Sequence, residues 1–157
     1  MSGPHASCLL TTLTIALLLI CGCNGDGDSN FPIEDTSPGW FVVSEINPYH
    51  EDSYLVYLEN PEDIRTANDL INGRIPPLII VAEIEEGSDG VNRNVLDPDA
   101  PYYSWHVSRF VSFAGVTVEI LDGSPGFVES DVSRWIDNTR GMIGFWAYTI
   151  TARYSSD

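Results

Sequence analysis

The chain has 157 residues and a formal charge of −16, from 23 acidic residues against seven arginines and no lysine. This balance excludes nucleic-acid binding, which depends on basic side chains that neutralise phosphates. It equally excludes adhesion to anionic lipid headgroups through a basic patch. An acidic surface keeps a domain solvated and attracts cations, and solvation is the default explanation.

Chain order begins with an uncharged apolar run, Cys8 to Gly22. It leads into Ile20-Cys21-Gly22-Cys23 and then Asn24-Gly25-Asp26-Gly27-Asp28. A helix needs about 20 apolar residues to cross a bilayer, so the run reads as a cleaved export signal over residues 1–22. An aliphatic residue three places before Cys23, a small one just before it and a polar tether after it are the layout of a bacterial lipoprotein signal. Cys23 is therefore the expected lipid attachment site. Cys21 is a poorer acceptor because Ile20 precedes it. The segment before the apolar run lacks Lys and Arg, which departs from the usual pattern. Ordinary secretion and a transmembrane anchor are the alternatives. Buried acyl chains contribute about 0.8 kcal/mol per methylene, enough for several chains to hold a domain at a membrane. The expected location is the bacterial cell envelope. The only three cysteines are Cys8, Cys21 and Cys23. Cleavage before Cys23 leaves the folded part without a disulfide.

Residues 23–39 form the expected tether, rich in Gly, Asp, Ser and Pro, and a single domain spans residues 40–157. Phe41–Ile46 and Tyr54–Leu58 read as strands separated by the turn-forming Asn47-Pro48. A helix follows, with Asn60 as cap, Pro61 at its first position, and Glu62 and Asp63 complementing the dipole. Ile64, Ala67, Leu70 and Ile71 form its apolar stripe, and Gly73 closes it. Leu78–Glu86 reads as a strand central to a sheet, because its start is continuously apolar.

Residues 85–101 form a polar loop. In the strand that follows, Tyr103, Trp105 and Val107 share one face, and Ser104, His106 and Ser108 the other. Val116–Leu121 reads as a further strand stopped at Asp122-Gly123. One helix then starts at Ser124 and Pro125, with Val128, Val132, Trp135 and Ile136 as its stripe. A last strand places Trp146, Tyr148, Ile150 and Tyr154 on one face. These elements predict an α+β fold, a largely antiparallel sheet of about six strands packed with two helices.

The chemistry on offer is sparse. Covalent catalysis needs an activated Ser, Cys or Lys near a base. There is no Lys, no Cys after Cys23, and neither a Gly-x-Ser-x-Gly elbow nor a His-Glu-x-x-His helix. The sequence Asp26-x-Asp28-x-Asn30 begins like a calcium loop, but Phe31 stands where Gly is needed and Ser37 where the bidentate Glu belongs. Asp89, Asp97 and Asp99 offer carboxylate oxygens to a hard cation, although no spacing fixes them as ligands. Ser104, Trp105 and His106, with Glu119 and Asp122, form the main candidate cluster, either a polar ligand site or a network that fixes strand register. Strand parity sends Glu119 and Asp122 to opposite faces unless the chain has turned by Asp122. Tyr102, Tyr103, Trp105, Phe110 and Phe113 are either core or a surface that stacks on sugar rings or a partner's side chains. Alternation assigns Tyr103 and Trp105 to the core and leaves Tyr102 free to be exposed.

Several segments resemble a known family. They are Pro61-Glu62-Asp63-Ile64, Ser104-Trp105-His106, Glu119-Ile120-Leu121-Asp122-Gly123-Ser124-Pro125 and Val128-Glu129. In this order and spacing, over Trp40 to Tyr154, they are similar to the N-terminal domain of the CmbB-type calmodulin-binding proteins, which also occurs alone in exported bacterial proteins. The resemblance supports the fold and implies no activity. Relatives carry a Cys before the Asp-Gly and another before a Pro-Trp; the matching positions here are Leu121 and Gly144. Loss of both together is what the resemblance implies if the two pair in relatives. Calmodulin is not expected as a partner, since its targets are basic amphipathic helices and neither expected helix is basic.

The sequence leads to an exported, lipid-anchored, non-enzymatic binding domain, with no cofactor and with a protein or glycan as its unknown ligand. A cation-dependent module and a hydrolase using His106 are the alternatives.

Overall fold

Among the described residues, two three-stranded antiparallel sheets take the place of the single six-stranded sheet expected from the sequence, and three helices take the place of two. The computed structural model describes residues 35–47 and 51–155. The signal segment, Cys23, the tether up to Glu34, and His50 lie outside the described residues. The first sheet has the order β2-β1-β6, formed by β1 (Gly39–Glu45), β2 (Ser53–Leu58) and β6 (Tyr148–Arg153). The second has the order β4-β3-β5, from β3 (Ile79–Glu86), β4 (Trp105–Ala114) and the two-residue β5 (Met142–Ile143). The apolar start of β3 therefore does mark a central strand.

Both sheets contribute to one core. Phe41, Val43, Tyr54 and Val56 from the first sheet meet Ile80, Ala82, Ile84 and Trp105 from the second. Its centre is aromatic: the Tyr54 ring lies 5.9 Å from Trp105, 5.8 Å from Phe145 and 6.5 Å from Tyr148, centroid to centroid. Such pairs add about 0.5–1.5 kcal/mol each beyond the area they bury.

Helix α1 (Pro61–Ile71) follows the expected rules. Asn60 Oδ1 accepts from the Glu62 amide at 2.8 Å, Pro61 opens the helix, and Gly73 follows its end at φ 63°. Ile64, Ala67 and Leu70 are its buried stripe. Among the described residues no helix is long and apolar enough to cross a membrane.

Three expectations fail locally. The single helix after Ser124 is two, α2 (Pro125–Ser130) and α3 (Val132–Thr139). Asp131 leaves helical geometry at φ −162° and its side chain accepts from the Arg134 amide, capping the second helix. Side-chain capping competes with helix continuation at Asp, so the periodic stripe runs across a break. Val116–Leu121 is not a strand; it ends in a 3-10 turn, Glu119–Leu121. Its alternating Val116, Val118 and Ile120 all point to solvent. Finally, Val42 pairs with Ala152 and Val43 with Ile150, which leaves Thr151 as a bulge. The extra residue reverses the alternation, so Arg153, not Tyr154, shares the face of Phe41. Trp146 precedes β6 and is exposed.

Candidate functional site

The long loop between β3 and β4 is tied to the first sheet by its own polar side chains. Asp89 Oδ1 accepts from the amides of Val91 and Asn92 at 2.8 and 2.7 Å, and Asp97 Oδ1 accepts from the Asp99 amide at 3.0 Å. Ser53 Oγ accepts from the Val95 amide and donates to Asn94 Oδ1, both at 2.9 Å. The buried Asn92 side chain bridges Leu55 on β2 and Trp105 on β4. This stitching covers one end of the sheet's outer face and leaves the other open.

At the open end lies a cleft of about 640 Å³. Its floor is Trp40 and Tyr57, cross-strand partners that alternate with the core residues Phe41 and Val56 and so face outward. Their ring centroids are 5.1 Å apart and the planes meet at 58°. Tyr102 from the loop and Tyr154 after β6 complete the aromatic lining. Tyr102 is 55 % exposed and Tyr57 39 %, far more than aromatic residues serving only as core.

Arg153 borders the cleft with both terminal nitrogens of its guanidinium engaged. Its guanidinium donates to the carbonyls of Asp35 and Ser37 at 3.2 and 2.7 Å, pairs with the Asp35 carboxylate at 3.1 Å and lies 5.3 Å from the Phe41 ring centroid. A Cβ on Gly39 would stand 2.9 Å from Arg153 Nη2, so glycine makes room for this clamp. The Ser37 hydroxyl and amide hold the Asp35 carboxyl below its ordinary range, with Arg153 adding to the effect.

The residues singled out by sequence do not converge. Ser104 donates from its amide and hydroxyl to Glu129 Oε2 at 2.8 and 3.1 Å. His106 Nδ1 donates to the Gly87 carbonyl at 2.7 Å; a carbonyl only accepts, so the proton sits on Nδ1. Trp105 is buried and stacks on Tyr103 at 5.2 Å. Glu119 is exposed in the 3-10 turn. Asp122 Oδ1 accepts from the amides of Gly123 and Trp146 at 3.0 and 2.8 Å. It lines a separate cleft of about 420 Å³ with Phe127 and Trp146. Asp89 and Asp97 serve turns, and among the described residues no three His, Cys, Asp or Glu side chains are grouped to hold a metal.

Sequence reasoning missed Glu129 as the partner of Ser104, and Trp40, Tyr57 and Tyr154 as cleft residues. Leu121 and Gly144, which the resemblance pairs, are neighbours: the Gly144 amide donates to the Leu121 carbonyl at 2.9 Å. The segments that carry the resemblance are thus largely joints, with Ser104 tied to Glu129 and the Leu121-Asp122 turn tied to Gly144 and Trp146.

No curated protein and no solved structure matches the chain significantly. A family model, that of the BP-74 N-terminal domain, matches residues 37–156. That span takes in every described strand and helix, and the chain belongs to the BP-74 N-terminal domain family.

Proposed function

We propose that this protein is an exported, non-enzymatic binding domain, held at the bacterial cell envelope by lipid on Cys23, which engages its ligand in the cleft of Trp40, Tyr57, Tyr102 and Tyr154. One observation carries the reading: these aromatic rings gather at an open cleft while Ser104, His106 and Asp122 are engaged in structural bonds. Ligand sites are concave, aromatic-rich and few per protein. The bonds of His106 to Gly87 and of Ser104 to Glu129 favour a register-fixing role over a hydrolytic one. The turns built on Asp89 and Asp97 likewise favour a structural role over a cation-dependent one. The calmodulin-binding property of the CmbB-type proteins is not part of the proposal, because neither α1 nor α3 has a basic last turn.

Two measurements on cells test the proposal. Mass spectrometry of the mature protein should find acyl chains on Cys23, and Cys23→Ala should release the protein from the membrane fraction. Unmodified Cys23 with unchanged location in the variant would refute the anchor. A photoreactive benzoylphenylalanine at position 102 should give an envelope adduct on illumination, while the same group at the exposed position 65 should not. Equal yields at both positions would remove the cleft from the proposal.

A further inference from the structure

We infer that the ligand of this cleft is a neutral oligosaccharide, an inference that rests on reading the cleft as the binding surface. Charge narrows the choice first. None of the ten described residues lining the cleft is acidic, although the chain carries 23 acidic residues. A cationic ligand would find no carboxylate in the lining, and the Asp35 carboxylate beside it is already paired with Arg153. The one cation among them is Arg153, and its guanidinium already meets the Asp35 carboxylate and two carbonyls. An anionic ligand would gain little from a neutralised arginine and would approach against a net charge of −16. The ligand that fits is uncharged.

Shape and hydrogen-bonding character narrow it further. A pyranose ring offers a flat C–H face and a rim of hydroxyls that both donate and accept. The cleft lining carries both complements: the aromatic rings of Trp40, Tyr57 and Tyr102, and the hydroxyl-bearing side chains of Tyr154 and Ser155. Tyr and Ser hydroxyls donate and accept in the same way. A proline-rich helix, the other uncharged ligand of aromatic grooves, lacks side-chain donors and would leave the acceptor capacity of these hydroxyls unused. The 58° tilt between Trp40 and Tyr57 presents rings at an angle, suited to successive sugars that turn along a chain. The volume of about 640 Å³ is within the range of about 300–1,000 Å³ usual for small-ligand sites.

The test uses the full chain in lauryldimethylamine oxide, a detergent without a sugar headgroup. Cellohexaose, xylohexaose, maltohexaose and chitohexaose are titrated by calorimetry and tryptophan fluorescence, with decaproline as the competing ligand class. At least one hexaose should bind. Tyr102→Ala should weaken that binding about tenfold or more, the loss of one stacked ring, while Tyr102→Phe should keep it within about threefold. Tyr102 is more than half exposed, so neither change threatens folding. Failure of all four sugars to bind, or equal binding by Tyr102→Ala, would overturn the inference. Decaproline binding that depends on Tyr102, without sugar binding, would overturn the sugar and leave the cleft as the binding surface.

Discussion

Asn92 Oδ1 accepts a hydrogen bond from the amide of Leu55, 2.9 Å away on the free edge of the first sheet. Through its Nδ2 the same side chain donates to the Trp105 carbonyl at 3.0 Å, on the edge strand of the second sheet. One buried amide thus satisfies main-chain groups on two sheets that share no ladder. Asn92→Ala leaves a buried donor and a buried acceptor unpaired, at about 1–3 kcal/mol each. The Tm should fall by roughly 10 °C. Asn92→Asp should also be harmful, because it keeps the acceptor, loses the donor and buries a charge. A Tm within about 2 °C of wild type for Asn92→Ala would show that the bridge contributes little.

Tyr54 presents the opposite case. Its side chain is fully buried, and among the described residues its hydroxyl has no hydrogen-bond partner. Burial pushes this hydroxyl's pKa well above the ordinary tyrosine value. Removing an unsatisfied buried hydroxyl while keeping the ring recovers its desolvation cost, about 1–3 kcal/mol. Tyr54→Phe should therefore raise the Tm, or at least leave it unchanged, in thermal melts at pH 7. A clear drop would mean that the hydroxyl is satisfied after all.

Gly141 follows the left-handed Arg140 at the end of α3 and itself has φ 74°. A Cβ there would stand 2.9 Å from the Ile84 carbonyl oxygen, while the Ile84 amide donates to the Gly141 carbonyl at 2.7 Å. Gly141→Ala combines backbone strain with a clash against main chain that cannot move freely, and about 1–3 kcal/mol of destabilisation is expected. Gly115, with nothing within 4 Å of an added Cβ, is the control, and Gly115→Ala should be close to neutral. Chemical denaturation of both variants makes the comparison; equal midpoints would contradict the assigned strain.

Acid stability should depend on two surface carboxylates. Hydrogen bonding and charge from Arg109 hold Glu83 below its ordinary value of 4.5, and Asp35 is held below 3.8. A carboxyl with a lowered folded pKa stabilises the fold above its unfolded value, and that contribution is lost as pH falls through the folded pKa. The loss should start near pH 4.5 for Glu83 and near pH 3.8 for Asp35. Asp35 is exposed and Glu83 is only half-buried, so each contribution is small. The variant with Glu83→Gln and Asp35→Asn should show a shallower decline of Tm between about pH 5 and 3 than wild type. Parallel curves would rule out both groups as the source of the acid limb.

Local features were legible in the sequence, and long-range ones were not. The start and stop of α1 are written in Asn60, Pro61 and Gly73, all within or beside the helix itself. The central place of β3 is written in its apolar start. The division into two sheets depends on pairings between distant segments, such as Val43 with Ile150, which no local pattern encodes. Val116, Val118 and Ile120 alternate as a strand does, yet the intervening Thr117 bonds the Gly144 carbonyl at 2.9 Å and turns the three apolar residues outward. Asp131 reads equally well inside a helix or as a cap. The cleft was the least legible part. Trp40, Tyr57, Tyr102 and Tyr154 come from four separate segments, and of these only Tyr102 stood out in sequence as a residue free to be exposed.

The Tyr154 amide donates to the Trp40 carbonyl at 2.9 Å, and Arg153 grips Asp35 and Ser37 beside it. The first and last strands of the fold therefore part from it side by side. A fold built in this way behaves as a cassette. It can be spliced into a surface loop of a host protein without spreading that loop, and a short linker joining its two ends would allow the chain to be opened at another exposed turn with its core intact.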